Sequence, residues 1–313
     1  MGRRCTMTAD APYPNGRAVL SAITEKARAA HRGGVGSSVQ SLIELAVFDR
    51  FLCRVFSQDD CPFALKGGTS MLARLPQSRS TTDVDLETAD LSIDDAIAQL
   101  TSAASIDLGD HFEFRYVSHR DTGGPNQPEL HAAAITFSVT VRGAGTRNPL
   151  KVDLAVHKRT PAAPLDVLTP AFRLDIPRLR SAVPYQAIAV EDQIADKVCA
   201  TLSTYGGQAS TRTKDLVDLA ILTKTMRIDA RQLRISVHTE AHQRGLPPFT
   251  TLQTPRSMTD GYRTVAKTVP LLNDALDHEN ALSLVNAMLR PALSAEIEDG
   301  AWDPAQQQWA RPS

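Results

Sequence analysis

Two aspartates separated by one residue, Asp83 and Asp85, are the residues of this sequence best suited to chemistry. They lie in residues 82–87 (TDVDLE), which alternate polar and apolar side chains as a half-buried strand does. On a strand both carboxylates leave the same face, with their Cα atoms roughly 7 Å apart. Carboxylates so placed can share Mg²⁺ ions that support in-line attack on phosphorus. An isolated pair is more often a solvated acidic face, so its neighbours decide the interpretation.

A glycine pair precedes the aspartates at short range. Residues 63–66 (FALK) have the pattern of a short strand, and Gly67, Gly68, Thr69 and Ser70 follow at the predicted start of a helix. Glycines let the backbone approach a ligand closely, and the free N–H groups and positive dipole end of a helix attract phosphate. The combination, followed by the D-x-D strand, predicts a nucleotide-binding site.

A third acid, Asp153, interrupts an apolar strand pattern. In residues 151–156 (KVDLAV) the side chains of Val152, Leu154 and Val156 point to one face and Asp153 to the other. An acid at such a position needs a metal ion or a charged partner. The sequence leaves two interpretations open: a further metal ligand, or a partner for Lys151 or an arginine.

Charged residues in the second half could complete the site. Lys197 is expected at the border of a helix's apolar face, free to reach across a cleft towards a triphosphate, although a single lysine there is most often a surface residue. Asp215 and Asp218, three residues apart, share one face of a later helix. The alternative for these acids is an acidic first turn that complements the helix dipole.

The elements that would position these residues suggest two parts. Ser37 and Ser38 are predicted to cap a long helix, and strands are predicted near residues 112–117, 133–142 and 150–157. Helical periodicity dominates after Val190, and the polar tail after Arg290 is expected to be loosely held. The predicted units are an N-terminal extension (1–36), a first domain (37–160), a proline-rich connection (161–188) and a helical lobe (189–313).

Composition restricts the setting and the partners. No apolar stretch of the 313 residues approaches the roughly 20 needed to span a bilayer. The singly scattered cysteines argue against disulfides or structural zinc, so we expect a cytoplasmic protein. Because the net charge is −1, an RNA partner would have to meet a local basic patch. Basic residues cluster at Arg142, Arg147, Lys151, Lys158 and Arg159, and again at Arg227, Arg231, Arg234 and Arg244.

The ordered motifs over residues 37–222 resemble those of the AbiEii/AbiGii toxin family, especially the MenT toxins of mycobacterial toxin–antitoxin systems. The motifs that carry the resemblance are Lys66-Gly67-Gly68-Thr69-Ser70, Asp83-x-Asp85, Asp192-x-x-Ala195-x-Lys197 and Arg212-x-x-Lys214-Asp215-x-x-Asp218. The resemblance implies an α+β fold, a polymerase-β-like minimal nucleotidyltransferase domain with a mixed sheet flanked by helices. A mainly helical lobe follows, and the active site lies in the groove between the two. It also implies a metal-dependent enzyme (EC 2.7.7 type) that adds nucleotides from an NTP to the 3′ acceptor end of tRNA and blocks translation.

Carried over position by position, the resemblance assigns roles to residues of this chain. The catalytic residues it implies are Asp83, Asp85, Lys197 and Asp218. The nucleotide-binding residues it implies are Lys66, Gly67, Gly68, Thr69, Ser70 and Asp215. The Mg²⁺ ligands it implies are Asp83, Asp85 and Asp153, the last at a position that varies within the family.

The resemblance also implies partners and leaves alternatives. Thr81 matches a hydroxyl that a partner kinase phosphorylates in some relatives, so a cognate antitoxin is expected besides NTP and tRNA, with no membrane partner and a monomeric chain. The first alternative is an adenylyltransferase acting on a protein or a small molecule. The second is a non-catalytic nucleotide-binding module. The Lys197 and Arg212-to-Asp218 motifs favour the toxin, but the sequence does not reveal which NTP or RNA is used.

Overall fold

The computed structural model describes residues 12–36, 38–58, 60–75, 78–79, 81–122, 130–158, 160–171, 173–179, 183–205 and 207–310. Two positions named in the sequence analysis, Ser37 and Arg159, lie outside the described residues. The helices are α1 (Gly16–Arg32), α2 (Val39–Val55), α3 (Gly67–Arg74), α4 (Ile93–Ala104), α5 (Val190–Leu202), α6 (Thr213–Thr225), α7 (Ala230–Gln243), α8 (Thr259–Ala266) and α9 (His278–Leu293). No helix within the described ranges is long and apolar enough to cross a bilayer.

Most strands belong to one mixed sheet. The strands are β1 (Ala64–Leu65), β2 (Val84–Ala89), β3 (Phe112–Asp121), β4 (Leu130–Val141), β5 (Gly145–Thr146), β6 (Leu150–His157), β7 (Asp166–Leu168), β8 (Tyr185–Ala187), β9 (Thr204–Tyr205), β10 (Gln208–Ala209), β11 (Ile228–Asp229), β12 (Ala301–Asp303) and β13 (Gln308–Ala310). The sheet order is β3-β4-β6-β2-β1-β8-β7, and β5 pairs with β4. Strands β2 and β6 run parallel, as do β1 and β8, whereas the other neighbours are antiparallel.

Alternation along the central strands gives the sheet one buried and one open face. In β2 the residues Val84 and Leu86 are fully buried while Asp85 between them is not. In β6 the buried residues Val152 and Leu154 flank the exposed Asp153. Because side chains alternate between the faces of a strand, the acids of both strands project from the open face.

Helices α1, α2 and α4 cover the buried face. Ser38 caps α2 by accepting a hydrogen bond from the Ser41 amide, as predicted, and the apolar face of α2 packs on the sheet. The N-terminal extension is part of this core, since Val19 and Ile23 of α1 are fully buried in it. The predicted proline-rich connection likewise supplies β7 and β8 to the sheet. These two segments are therefore structural parts of the first unit, which composition alone did not indicate.

Helices α5 to α9 build a second core, and the C-terminal tail belongs to it. Trp302 of β12 is 1% exposed, and its indole N–H donates to the Thr223 carbonyl at 2.7 Å. Strands β11, β12 and β13 form a small sheet on this lobe. The prediction of a loosely held tail is thus wrong as far as residue 310, because one buried tryptophan anchors an otherwise polar segment.

Candidate active site

The glycine pair forms a tight turn between β1 and α3. Lys66 donates its amide to the Asp85 carbonyl at 3.1 Å, and Gly67 adopts a left-handed φ of +53°. A Cβ at Gly67 would lie 2.6 Å from a carboxylate oxygen of Asp85, so only glycine fits beside this acid. The helix α3 then begins at Gly67 and directs its first amides towards the same region.

Thr69 fastens this turn to the D-x-D segment. Its hydroxyl donates to the Asp83 carbonyl at 3.0 Å and accepts from the Asp85 amide at 3.0 Å. Its own amide donates to Asp85 Oδ2 at 3.3 Å. These contacts hold the start of the helix and the aspartates as one unit, which the sequence predicted only as neighbours along the chain.

The aspartates repel one another across neighbouring strands. Asp85 and Asp153 are paired in the parallel register of β2 and β6. Burial, helped by the charge of Asp153, raises the pKa of Asp85 despite the opposing charge of Lys66 and the hydrogen bond from Thr69. Burial and the charge of Asp83 raise the pKa of Asp153. Asp83 itself directly precedes β2 and is not part of the strand.

The carboxylate oxygens of Asp83, Asp85 and Asp153 fit a divalent cation in their chemical type. Among the described residues, no group of three or more His, Cys, Asp and Glu side chains is arranged to hold a metal ion, so Asp83, Asp85 and Asp153 do not form a preformed cage. Their mutual repulsion is nevertheless the interaction that a bound cation relieves. Hard cations prefer carboxylate oxygens, and Asp85 and Asp153 share one face of the sheet, with Asp83 directly before β2.

A groove between the two lobes adjoins the turn. Its walls are Lys66, Glu87 and His157 from the sheet side and Asp192, Asp196 and Glu240 from the helical lobe. Glu87 lies 3.8 Å from Lys66 Nζ and 3.5 Å from His157 Nε2. The sequence interpretation missed Glu87, although its position two residues after Asp85 on the same strand face was a signal.

Lys197 is buried in an ion cluster. It is 3% exposed, and its Nζ donates to Asp218 at 2.7 Å and to Asp215 at 3.2 Å. Burial alone would lower the pKa of Lys197, but Asp218 and Asp215 outweigh it and raise the pKa. The expected position at the helix border, free to reach a triphosphate, is therefore wrong. Periodicity along α5 does not show the acids that α6 brings against it.

Arg79 is a further member of this ion cluster that the sequence interpretation missed. Its Nε and Nη2 each donate to a carboxylate oxygen of Asp218 at 2.8 Å. Asp218 is fully buried; burial raises its pKa, but Lys197 and Arg79 prevail and lower it. The residues Arg79, Lys197, Asp215 and Asp218 are called the ion cluster below. It ties the loop before the D-x-D segment to the helical lobe.

Two hydroxyls complete the region around the turn. A Cβ at Gly68 would lie 2.9 Å from Thr81 Oγ1, so Thr81 covers the start of α3. The Ser70 hydroxyl is buried and has no hydrogen-bond partner among the described residues. Gln193 of α5 donates to the Gly67 carbonyl at 2.9 Å and brings the helical lobe onto the turn.

The sequence matches one protein family over most of its length. The family described as nucleotidyl transferase AbiEii toxin of type IV toxin–antitoxin systems matches residues 50–308. The chain belongs to the AbiEii toxin family. It is thus a nucleotidyltransferase and the toxin of a toxin–antitoxin system. The match also runs well past Leu222, where the motif resemblance had ended.

The fold of this AbiEii toxin is similar to that of a solved nucleotidyltransferase toxin. MenT4, the nucleotidyltransferase toxin Rv2826c of Mycobacterium tuberculosis H37Rv, is similar with a TM-score of 0.53 and 17% identity, over 88% of this chain and 98% of MenT4. JHP933 of Helicobacter pylori has a TM-score of 0.46 and 16% identity, over 84% of this chain and 96% of its own. The predicted α+β fold with a mixed sheet and flanking helices is confirmed by the likeness to MenT4. No curated protein matches the sequence significantly.

Proposed function

We propose that this AbiEii toxin transfers nucleotides from an NTP to the 3′ acceptor end of tRNA in the cytoplasm, with Mg²⁺, and thereby blocks translation. The observation that carries the proposal is the contact between the glycine turn and Asp85. A phosphate-binding helix start and a metal-binding carboxylate side by side are what nucleotidyl transfer requires.

The residues around the turn have different proposed roles in binding the NTP. The amides of Gly67 and Gly68 offer donors to the triphosphate, and Lys66, Thr69 and the Ser70 hydroxyl lie next to them. Because Ser70 is fully buried, its contact with phosphate requires a local opening of the turn. Asp83 and Asp85 hold Mg²⁺, with Asp153 as the third ligand.

The chemistry joins the 3′ hydroxyl oxygen of the acceptor to the α-phosphorus of the NTP. The bond from that phosphorus to the pyrophosphate breaks, pyrophosphate leaves, and the hydroxyl proton passes to solvent water. Bound Mg²⁺ supplies a lowered pKa for the attacking hydroxyl and neutralises charge on the leaving pyrophosphate. Within the ion cluster, Asp215 and Asp218 hold Lys197, whose positive charge acts on Asp85 from its buried position.

Thr81 is the proposed point of control by a cognate antitoxin that acts as a kinase. Its hydroxyl covers the turn at Gly68, two residues ahead of Asp83. A phosphate there would add about −1.5 to −2 charges where the triphosphate and Mg²⁺ are expected to bind. Co-expression with the antitoxin and mass spectrometry test this point. Inactive toxin without phosphate on Thr81 would contradict it.

The acceptor is tested by incubating the monomeric toxin with each labelled NTP, Mg²⁺ and total RNA, with and without a chelator. We expect a labelled band at tRNA size that the chelator removes. Label on a protein or a small molecule instead would establish the adenylyltransferase alternative. NTP binding with no transfer to any acceptor would establish a non-catalytic module.

A further inference from the structure

The open face of the sheet continues sideways from the aspartates across β6, β4 and β3. On β4 the side chains of Ile135, Phe137 and Val139 are buried, whereas Ala134 and Thr136 between them stay partly exposed. These small side chains form a flat floor. The floor begins at Asp153 and ends at β3, the edge strand of the sheet.

Strand register sets two cations on this floor. Asp85 pairs with Asp153, Asp153 with Ala134, and Ala134 with Arg120, so these residues form one row across four strands. At about 4.8 Å per strand, the Cα of Arg120 lies roughly 10 Å from that of Asp153. Lys151 projects from the same face as Asp153, two residues earlier on β6. Both cations oppose the raised pKa of Asp153, so their charges reach the aspartates.

A third cation stands beside Asp83. A cleft of about 210 Å³ between α2 and the β5–β6 connection is lined by Asp83, Lys151 and Arg147. Its lining includes the apolar Ile43 and Phe48 of α2 and also the acidic Glu44. Among the ion pairs in the described part of the chain, none involves Arg120, Arg147 or Lys151. Arg142, by contrast, is paired with Asp107 and Glu113.

The two sides of the D-x-D strand therefore offer different binding surfaces. The glycine turn follows β1, on one side of β2, whereas the cations lie across β6 on the other side. In-line displacement needs the attacking and leaving oxygens on opposite sides of the phosphorus. With the triphosphate on the turn, the acceptor must approach from the side of β6.

We propose that Arg120 of β3 and Lys151 of β6, on the open face of the sheet, together with Arg147 of the β5–β6 connection, bind the phosphodiester backbone of the acceptor RNA. The cleft beside Asp83 receives its 3′-terminal nucleoside. The proposal rests on the proposed function and adds to it the place where the acceptor binds. Arg142 is not part of this surface, because it is already paired with Asp107 and Glu113.

The test compares two variants that each remove two positive charges. Arg120→Gln with Lys151→Gln alters the floor, and Arg28→Gln with Arg32→Gln alters exposed positions of α1, which packs on the buried face. Binding is measured by fluorescence anisotropy, with a labelled RNA hairpin that has a single-stranded 3′ end, at 50 to 200 mM salt. Nucleotide affinity and thermal unfolding are measured on the same proteins.

We expect the floor variant to lose about tenfold in RNA affinity for each contact removed, and its salt slope to fall by about 0.7 per contact. Its nucleotide affinity should fall far less than its RNA affinity, and Arg120→Lys with Lys151→Arg should largely retain RNA binding. If the wild type labels RNA and the floor variant binds it as the α1 variant does, the surface is wrong while the function stands. If the wild type labels only a protein or a small molecule, the proposed function fails and the surface with it.

Discussion

The Asp85 carboxylate occupies the space that a side chain at position 67 would need. The turn places the glycine in a left-handed conformation with its missing side chain towards the carboxylate, so two separate constraints act on one residue. The backbone conformation restricts the residue through strain, and the contact restricts it through volume. Both constraints serve the start of the helix that the phosphate is proposed to bind.

Replacing Gly67 by alanine should disturb the site beyond backbone strain. The strain costs about 1–2 kcal/mol, and the Cβ must also displace the Asp85 carboxylate. Gly34→Ala is the control, because Gly34 has a φ of +82° with nothing within 4 Å of the added Cβ. We expect both variants to lose stability in urea and only Gly67→Ala to lose transfer activity. Equal activity in both would show that the contact with Asp85 has no catalytic meaning.

The sequence identified groups of residues that are close along the chain and missed contacts between residues that are distant along it. The glycine turn and the D-x-D pair belong to one short segment, and the structure brings them into contact. Arg79 was missed because its partner Asp218 is 139 residues away. Lys197 was recognised, but its burial depends on the packing of α5 on α6, which no pattern within α5 reveals.

At the scale of elements, the ion cluster joins the loop before β2 to helices α5 and α6. Two cations and two carboxylates compensate one another where water is excluded, so the removal of one charge leaves another uncompensated. The same contacts place Thr81 and the D-x-D segment relative to the helical lobe. Stability and activity should therefore change together in this cluster.

Lys197→Met should destabilise the protein by about 3 kcal/mol, because Asp218 stays buried with Arg79 as its remaining partner. Lys224→Met on α6 is the control, since Lys224 pairs with the exposed carboxylate of Asp274 and should lose less than about 1 kcal/mol. Urea unfolding measures both. A stable Lys197→Met protein that has lost NTP use would instead support the expectation from the sequence that Lys197 contacts the triphosphate.

Acid should weaken the ion cluster in a defined pH range. Burial raises the pKa of Asp218 in the folded state, but Lys197 and Arg79 outweigh it and lower the pKa. The unfolded chain then binds more protons below about pH 4, so stability is full above that pH and is lost on further acidification. In Lys197→Met the pKa of Asp218 should rise and the acid transition should move to higher pH. An unchanged transition, followed by circular dichroism, would argue against this coupling.

At the scale of the whole molecule, helix α1 and the strands β12 and β13 each stabilise one lobe, although their composition did not indicate this role. The first helix completes the core under the sheet, and the last strands close the helical lobe. The helices and the central strands were predictable from periodicity. The strands β7, β8, β12 and β13 were not, because short strands depend on their neighbours in the sheet for stability.

Trp302→Ala should cost about 3–5 kcal/mol, because it removes a fully buried aromatic side chain and the hydrogen bond to Thr223. Trp309→Ala is the matched control on the neighbouring strand, where the tryptophan is only partly buried. Thermal unfolding of the two variants should show the larger loss for Trp302. Equal small losses would mean that the tail contributes little to the lobe.

The reaction proposed for this toxin is nucleotidyl transfer to a 3′ hydroxyl at the glycine turn and D-x-D site. The measurement is transfer of label from α-labelled and γ-labelled NTP to tRNA with an intact or a periodate-oxidised 3′ end, by the wild type and by Asp83→Asn. We predict label from the α position only, on intact tRNA only, and a loss of at least about a thousandfold in the folded Asp83→Asn variant. Label from the γ position, labelling of oxidised tRNA, or full activity of Asp83→Asn would contradict the account.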